Sequence, residues 1–207
     1  MLRKIIEETK GMLSEDQYHT IVCIGTSTGG PRALQAVLSA MPRTLQVPVL
    51  IVQHMPPNFT KSLANRLNNL SEIEVKEAED GEILQKGTAY IAPGGKHMLL
   101  ISQGREVRIK IVETEPVNGH RPSVDVLFQS VSQLKTYKKI AVIMTGMGSD
   151  GKKGIIHLKA NGQTIVMAES SESCIVYGMP RAAIETGLVD SVTKLDDIAM
   201  NIMKLIE

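Results

Sequence analysis

The chain has 207 residues, with 23 Lys and Arg against 22 Asp and Glu for a formal net charge of +1, and its 43% hydrophobic content suffices for one core without disulfide or metal staples. The even charge gives no electrostatic footprint for nucleic acid, and 4 Tyr, 2 Phe and no Trp leave few platforms for stacking single strands. No run approaches the roughly 18 apolar residues of a spanning helix, and MLRKIIEETK at the start is no signal peptide, so a soluble, cytoplasmic protein without membrane insertion is expected.

Residues 1–13 place Leu2, Ile5, Ile6, Met12 and Leu13 at near-helical spacing before a polar SEDQYHT, which reads as a leading helix or linker remnant over 1–19. A regular alternation follows. TIVCIG (20–25) is an apolar, β-branched strand in which Cys23 reads as a buried core thiol. GGPRALQAVLSAM (29–41) has helical periodicity, PVLIVQ (48–53) is a second buried strand, and PPNFTKSLANRLNNL (56–70) is a helix with Asn58 as its candidate cap. The stretch 75–112 reads as short strands joined by Gly-Pro turns, forming hairpins at a sheet edge. A helix is predicted over 122–135, then strand 138–146, helix 151–160, strand 164–170, a helix around 180–186, a short strand at 188–192 and a closing amphipathic helix at 195–206. Alternation with apolar strands predicts an α/β fold: a doubly wound, mostly parallel sheet with helices on both faces and an antiparallel hairpin at one side.

In such sheets ligands sit outside the carboxyl ends of the strands. Three strand ends deliver Ser27, His54 and Asp150 to that edge, and these are the residue types that acyl transfer requires. Ser27 lies in G-x-S-x-G between strand and helix, where a tight turn exposes a hydroxyl beside the free N–H groups of the helix start. The competing reading is a helix cap in a glycine-rich turn. His54 closes an apolar strand before two prolines and can serve as a base, though a strand-end histidine can equally be structural. Asp150 heads a helix, where a carboxylate is also a good cap. His19, His97, His120 and His157 fall in segments read as surface or hairpin and offer less.

Two glycine motifs compete. Gly25 to Gly30 has the frame of a P-loop, but Pro31 and Arg32 replace its Lys and Ser/Thr, which rejects it. Gly146-x-Gly148-x-x-Gly151 follows a strand, opens a helix, and has Glu169 at the end of the next strand, 18 residues on. That fits a dinucleotide fingerprint, except that Asp150 would face the pyrophosphate. No Cys/His cluster or EF-hand loop suggests a metal, and no cofactor is expected.

Seven blocks in order, IGTSTGGPRAL (24–34), QHMPPNFT (53–60), VKEAEDGE (75–82), AYIAPGGKHM (89–98), NGHRPSVDVLF (118–128), MTGMGSDG (144–151) and YGMPRAAI (177–184), closely resemble the catalytic domain of chemotaxis protein-glutamate methylesterases, the CheB type. The resemblance runs from about Ile21 to Ile206. It implies Ser27 as nucleophile, His54 as base and Asp150 as the third member, the same residues that the strand ends single out. It further implies hydrolysis of glutamate γ-methyl esters on the cytoplasmic helical domain of methyl-accepting receptors with release of methanol, and in some members deamidation of receptor glutamines. Backbone N–H groups of Thr28 and Met147 are the expected oxyanion donors, and Arg32 and Arg181 the candidate contacts to an acidic receptor helix. Family members usually carry an N-terminal receiver domain, whereas only 26 residues precede Ser27. The expectation is a monomeric catalytic domain over 20–207 without a receiver; a receptor-docking module without catalysis is the alternative from a different class.

Overall fold

The computed structural model describes residues 19–103 and 106–206. The predicted leading helix at 1–13 lies outside them. Seven parallel strands form one sheet: β1 (His19–Thr26), β2 (Val49–Gln53), β3 (Glu74–Glu77), β4 (Thr88–Ile91), β7 (Tyr137–Ile143), β8 (Thr164–Glu169) and β9 (Ser191–Thr193), in spatial order β3-β4-β2-β1-β7-β8-β9. β5 (His97–Gln103) and β6 (Glu106–Val112) pair antiparallel as a separate hairpin. The helices are α1 (Gly30–Ser39), α2 (Phe59–Asn68), α3 (Val124–Ser132), α4 (Lys152–Ala160), α5 (Met179–Ile184) and α6 (Leu195–Ile206).

The period-2 alternation of each central strand divides the apolar residues between two cores. Val22, Ile24, Val49, Ile51, Ile140 and Val142 face α1, α2 and α6. Ile21, Cys23, Leu50, Val52, Ala141 and Ile143 face α3, α4, α5 and the hairpin. Burial on both faces explains why these strands read as continuous apolar runs rather than alternating ones. Cys23 is buried, and burial pushes its thiol well above the ordinary range, so it behaves as a small apolar side chain.

The stretch 75–112 departs from the expected run of edge hairpins. β3 and β4 are parallel members of the main sheet, with Val75 opposite Ala89 and Glu77 opposite Ile91. Val75, Ala89 and Ile91 are drawn into the core under α2, and the chain between the two strands is stitched to β6 through the bond from Gly81 N–H to the Ile109 carbonyl (2.8 Å) and from Ile109 N–H to that of Glu82 (2.8 Å). Among the described residues of this stretch, only β5–β6 pairs as a hairpin. It lies against α3, where the Leu100 N–H donates to Ser130 Oγ (3.0 Å). Asn58 sits before α2 as expected, but its side chain makes no capping bond; its role is its left-handed backbone, φ 72°.

Strand order reverses between β1 and β7. β1 leads through α1 to β2 on one side, while β7 and its successors extend the sheet on the other. The carboxyl ends flanking this switch point, together with that of β2, carry the candidate residues.

Candidate active site

Thr26 and Gln53 are cross-strand partners, so Ser27 and His54, each one residue further, leave neighbouring strands side by side. The Ser27 turn is fixed from both sides of β1. Its N–H donates to the Thr145 carbonyl beyond β7 (2.9 Å), and its carbonyl accepts from Gln53 Nε2 (3.0 Å) and Gly30 N–H (2.8 Å). Gly29 occupies the N-cap of α1 with φ 84°, a conformation open to glycine, and no side chain caps that helix. The cap reading of Ser27 therefore has no bond to support it. Thr28 is exposed, and its N–H has no partner among the described residues.

His54 and Asp150 are joined by a 2.8 Å bond between Nε2 and Oδ2, with their side chains 6% and 0% exposed. An ionised carboxylate accepts only, so Nε2 carries the proton and the lone pair is left on Nδ1. Nδ1 is buried and has no partner among the described residues. The His120 ring stacks on His54 at 3.8 Å between centroids and 8° between planes.

Asp150 is also bound by the start of α3. Ser123 Oγ (2.8 Å), Asn118 Nδ2 (2.9 Å) and Asp125 N–H (3.2 Å) donate to Oδ1, and Val124 N–H (2.7 Å) donates to Oδ2. Burial pushes its carboxyl up, but the bonds from His54, Val124, Asn118 and Ser123 outweigh burial and hold it at about 2. The capping reading of Asp150 is thus corrected in its target. It caps α3 rather than α4, whose own N-cap, Gly151, has no side chain with which to cap the helix. The N–H groups of Gly151 (3.0 Å) and Gly154 (2.7 Å) at the start of α4 instead donate to Asp125 Oδ1. A carboxylate fills the place where the dinucleotide reading would need pyrophosphate, and Glu169, its ribose acid, is fully buried with Oε2 accepting from Thr145 N–H (2.8 Å). That reading is excluded.

Met147 lies in the loop after β7 with its side chain 68% exposed, and its N–H has no partner among the described residues. The neighbouring Gly146 passes so close to Ser27 that a Cβ there would stand 2.8 Å from Ser27 Cβ. Arg32 is exposed on the first turn of α1, and Arg181 is exposed on α5 with its Nε 3.7 Å from Glu185.

Sequence reasoning set aside two residues that the fold brings inward. His97 is fully buried, accepting at Nδ1 from Ser123 N–H (3.2 Å) and bonding the Glu115 carbonyl through Nε2 (3.1 Å), which fixes the segment leading into α3. His120 stacks on His54; burial and the neighbouring His54 lower its pKa, against a smaller opposing pull from Asp150. Asn118, Ser123 and Asp125 were also missed as a polar set, although N-x-H-x-x-S-x-D before an apolar helix is legible as a cap cluster. Among the described residues there is no group of His, Cys, Asp and Glu able to hold a metal, and no helix is long and apolar enough to cross a membrane.

The family model described as CheB methylesterase matches residues 22–202. A protein-glutamate methylesterase/protein-glutamine glutaminase of Geobacillus kaustophilus is 58% identical over 90% of this chain and 53% of its own length. One of the same name from Bacillus subtilis is 51% identical over 90% of this chain and 52% of its own. The chain thus spans about half the length of the curated relatives it matches. The crystal structure of the Thermotoga maritima CheB methylesterase catalytic domain superposes with a TM-score of 0.86 at 45% identity, over 90% of this chain and 98% of that one. With the match running from Val22 in β1 to Ile202 in the last helix, the chain belongs to the CheB methylesterase family.

Proposed function

We propose that this chain is a serine esterase that removes methyl groups from glutamate γ-methyl esters on the cytoplasmic helical domain of methyl-accepting chemoreceptors, releasing methanol. The observation that carries the reading is the Asp150–His54 pair beside Ser27, with the free nitrogen of His54 buried at the same strand edge. In this reading Nδ1 takes the Ser27 proton as Oγ attacks the ester carbonyl. Asp150 holds the ring and stabilises the imidazolium. His54 then protonates methoxide as it leaves, and in the second half-reaction it activates water against the acyl-enzyme. Thr28 N–H at the head of α1 and Met147 N–H across from it serve as oxyanion donors, and losing one costs about 100- to 1000-fold in turnover. Arg32 and Arg181 meet the acidic receptor helix. The same acyl-enzyme admits receptor glutamine as substrate, with ammonia leaving in place of methanol. The enzyme acts as a cytoplasmic monomer.

The test is methanol release from methylated receptor cytoplasmic domain by the parent and by Ser27→Ala. Release by the parent alone supports the esterase. Receptor binding by both without release by either replaces it with the docking module.

A further inference from the structure

A cavity of about 500 Å³ opens beside the nucleophile turn, on the side away from His54's strand. It runs from Gly29 and Arg32 at the head of α1, past Thr145, to the segment joining β8 to α5 and the start of α6. Glu169 lines it, fully buried, with one carboxylate oxygen committed to Thr145 N–H and the other, Oε1, buried without a partner among the described residues. Buried carboxylate oxygens are normally satisfied, so this one is an acceptor waiting for a donor. The cavity's other charged groups do not supply it: Lys194 is paired with Glu172 at 2.6 Å, and Arg32 makes no ion pair among the described residues. Counting Asp196, three carboxylates face two cations, a balance that favours a donor or cationic guest over an anion. Cys174 stays protonated beside Glu169, because burial, then the charge of the Glu169 carboxylate and a side-chain hydrogen bond to it push the thiol up to about 12, and a thiol is only a weak donor.

Thr145 couples this cavity to the reaction centre. Its N–H holds Glu169, its carbonyl holds Ser27 N–H, and its Oγ1 donates to the Thr28 carbonyl (2.9 Å) while accepting from Ile175 N–H (3.1 Å). A ligand in the cavity therefore sits against the residues that frame the attacked carbonyl. On a substrate helix, side chains about three or four positions apart share one face, so a neighbour of the reacting glutamate faces the same side of the enzyme as the ester.

Resting on the esterase reading, we propose that the Glu169 cavity is a specificity subsite for a nitrogen-donor side chain, lysine or glutamine, on the substrate helix about one turn from the methyl-esterified glutamate. Helical peptides carrying one glutamate γ-methyl ester, with lysine, glutamine or norleucine at the neighbouring positions, test it through the kcat/KM of methanol release. The lysine and glutamine peptides are expected to exceed the norleucine peptide by about tenfold. In Glu169→Gln, which keeps an acceptor for Thr145 but presents an amide donor to the cavity, the ratio is expected to fall towards one. Using ratios within one enzyme cancels any general loss of activity, and the parent's ratios decide the matter even if the variant does not fold. Equal release from all peptides, or a preference that survives in Glu169→Gln, overturns the subsite alone. No release from any peptide removes the esterase reading and the subsite with it.

Discussion

Asp125 and Asp150 cap each other's helices. Asp150 precedes α4 yet binds the N–H groups of Val124 and Asp125 at the start of α3, while Asp125 within α3 binds those of Gly151 and Gly154 at the start of α4. Asn118 Nδ2 donates to both, at 2.7 Å and 2.9 Å, and separates two carboxylates that would otherwise repel. The placement of Asp150 against His54 is therefore a property of how two helices meet. Each helix start supplies an electropositive end to the carboxylate carried by the other.

Asp150→Asn should lower kcat by about 1000- to 10,000-fold, because the amide can donate to Nε2 and move the imidazole proton to Nδ1, where a lone pair is needed. Steady-state methanol release measures it. A loss below about tenfold would remove Asp150 from the mechanism.

The same carboxyl links stability to pH. Held at about 2 in the fold against an ordinary 3.8, Asp150 favours folding in its ionised form. Its contribution, about 2 kcal/mol, is fully present above about pH 4 and is lost as pH falls towards 2. Urea unfolding from pH 6 to pH 2 should show Asp150→Asn with a shallower acid decline than the parent. Parallel declines would contradict the assignment.

Removing Asp125 leaves two buried N–H groups of α4 unpaired and withdraws a partner from Asn118. Asp125→Ala should cost about 2 to 4 kcal/mol of unfolding free energy and slow turnover by loosening the Asp150 loop. Burial pushes the Asp125 carboxyl up against the pull of its bonds from Gly154, Asn118 and Gly151, so its pairing is not simply a strong ionic one. Its contribution lies in satisfying donors.

His120→Ala should reduce kcat by about three- to tenfold with little change in KM, since the ring that faces His54 limits the tilt of the imidazole. His120→Phe keeps a stacked face and should recover most of the loss. Equal loss in both variants would show that the imidazole nitrogens of His120 matter instead of the stack.

Gly146→Ala places a methyl 2.5 Å from Met179 Sδ and 2.8 Å from Ser27 Cβ. The loop must shift, and activity should fall more steeply than stability, by at least tenfold against about 1 to 3 kcal/mol. Thermal melting alongside methanol release separates the two effects.

Ser27, His54 and Asp150 were legible because each follows a strongly apolar strand, and parallel strands in such a sheet end at one edge. The alternating elements from β1 to α2 and from β7 to α6 were legible for the same reason: their periodicity reports burial directly. β3 and β4 were not, because four-residue strands between polar turns look alike whether parallel or antiparallel, and only packing under α2 decides. His97 and His120 were hidden by a different cause. Their partners lie at long sequence separation, such as the 26 residues between His97 and Ser123, so no local pattern marks them. Asp150's helix-binding character was readable, but which helix it binds depends on the meeting of α3 and α4.

Ser27, His54 and Asp150 follow β1, β2 and β7, the middle of the sheet, while the margins are the four-residue β3 and the three-residue β9. Fraying starts at margins, where fewest bonds must break. A molecule that has lost either border therefore still holds Ser27, His54 and Asp150 in register. Heat or denaturant should silence the proposed esterase activity in a single step coincident with loss of the central strands, and partly unfolded molecules should keep that activity up to that point.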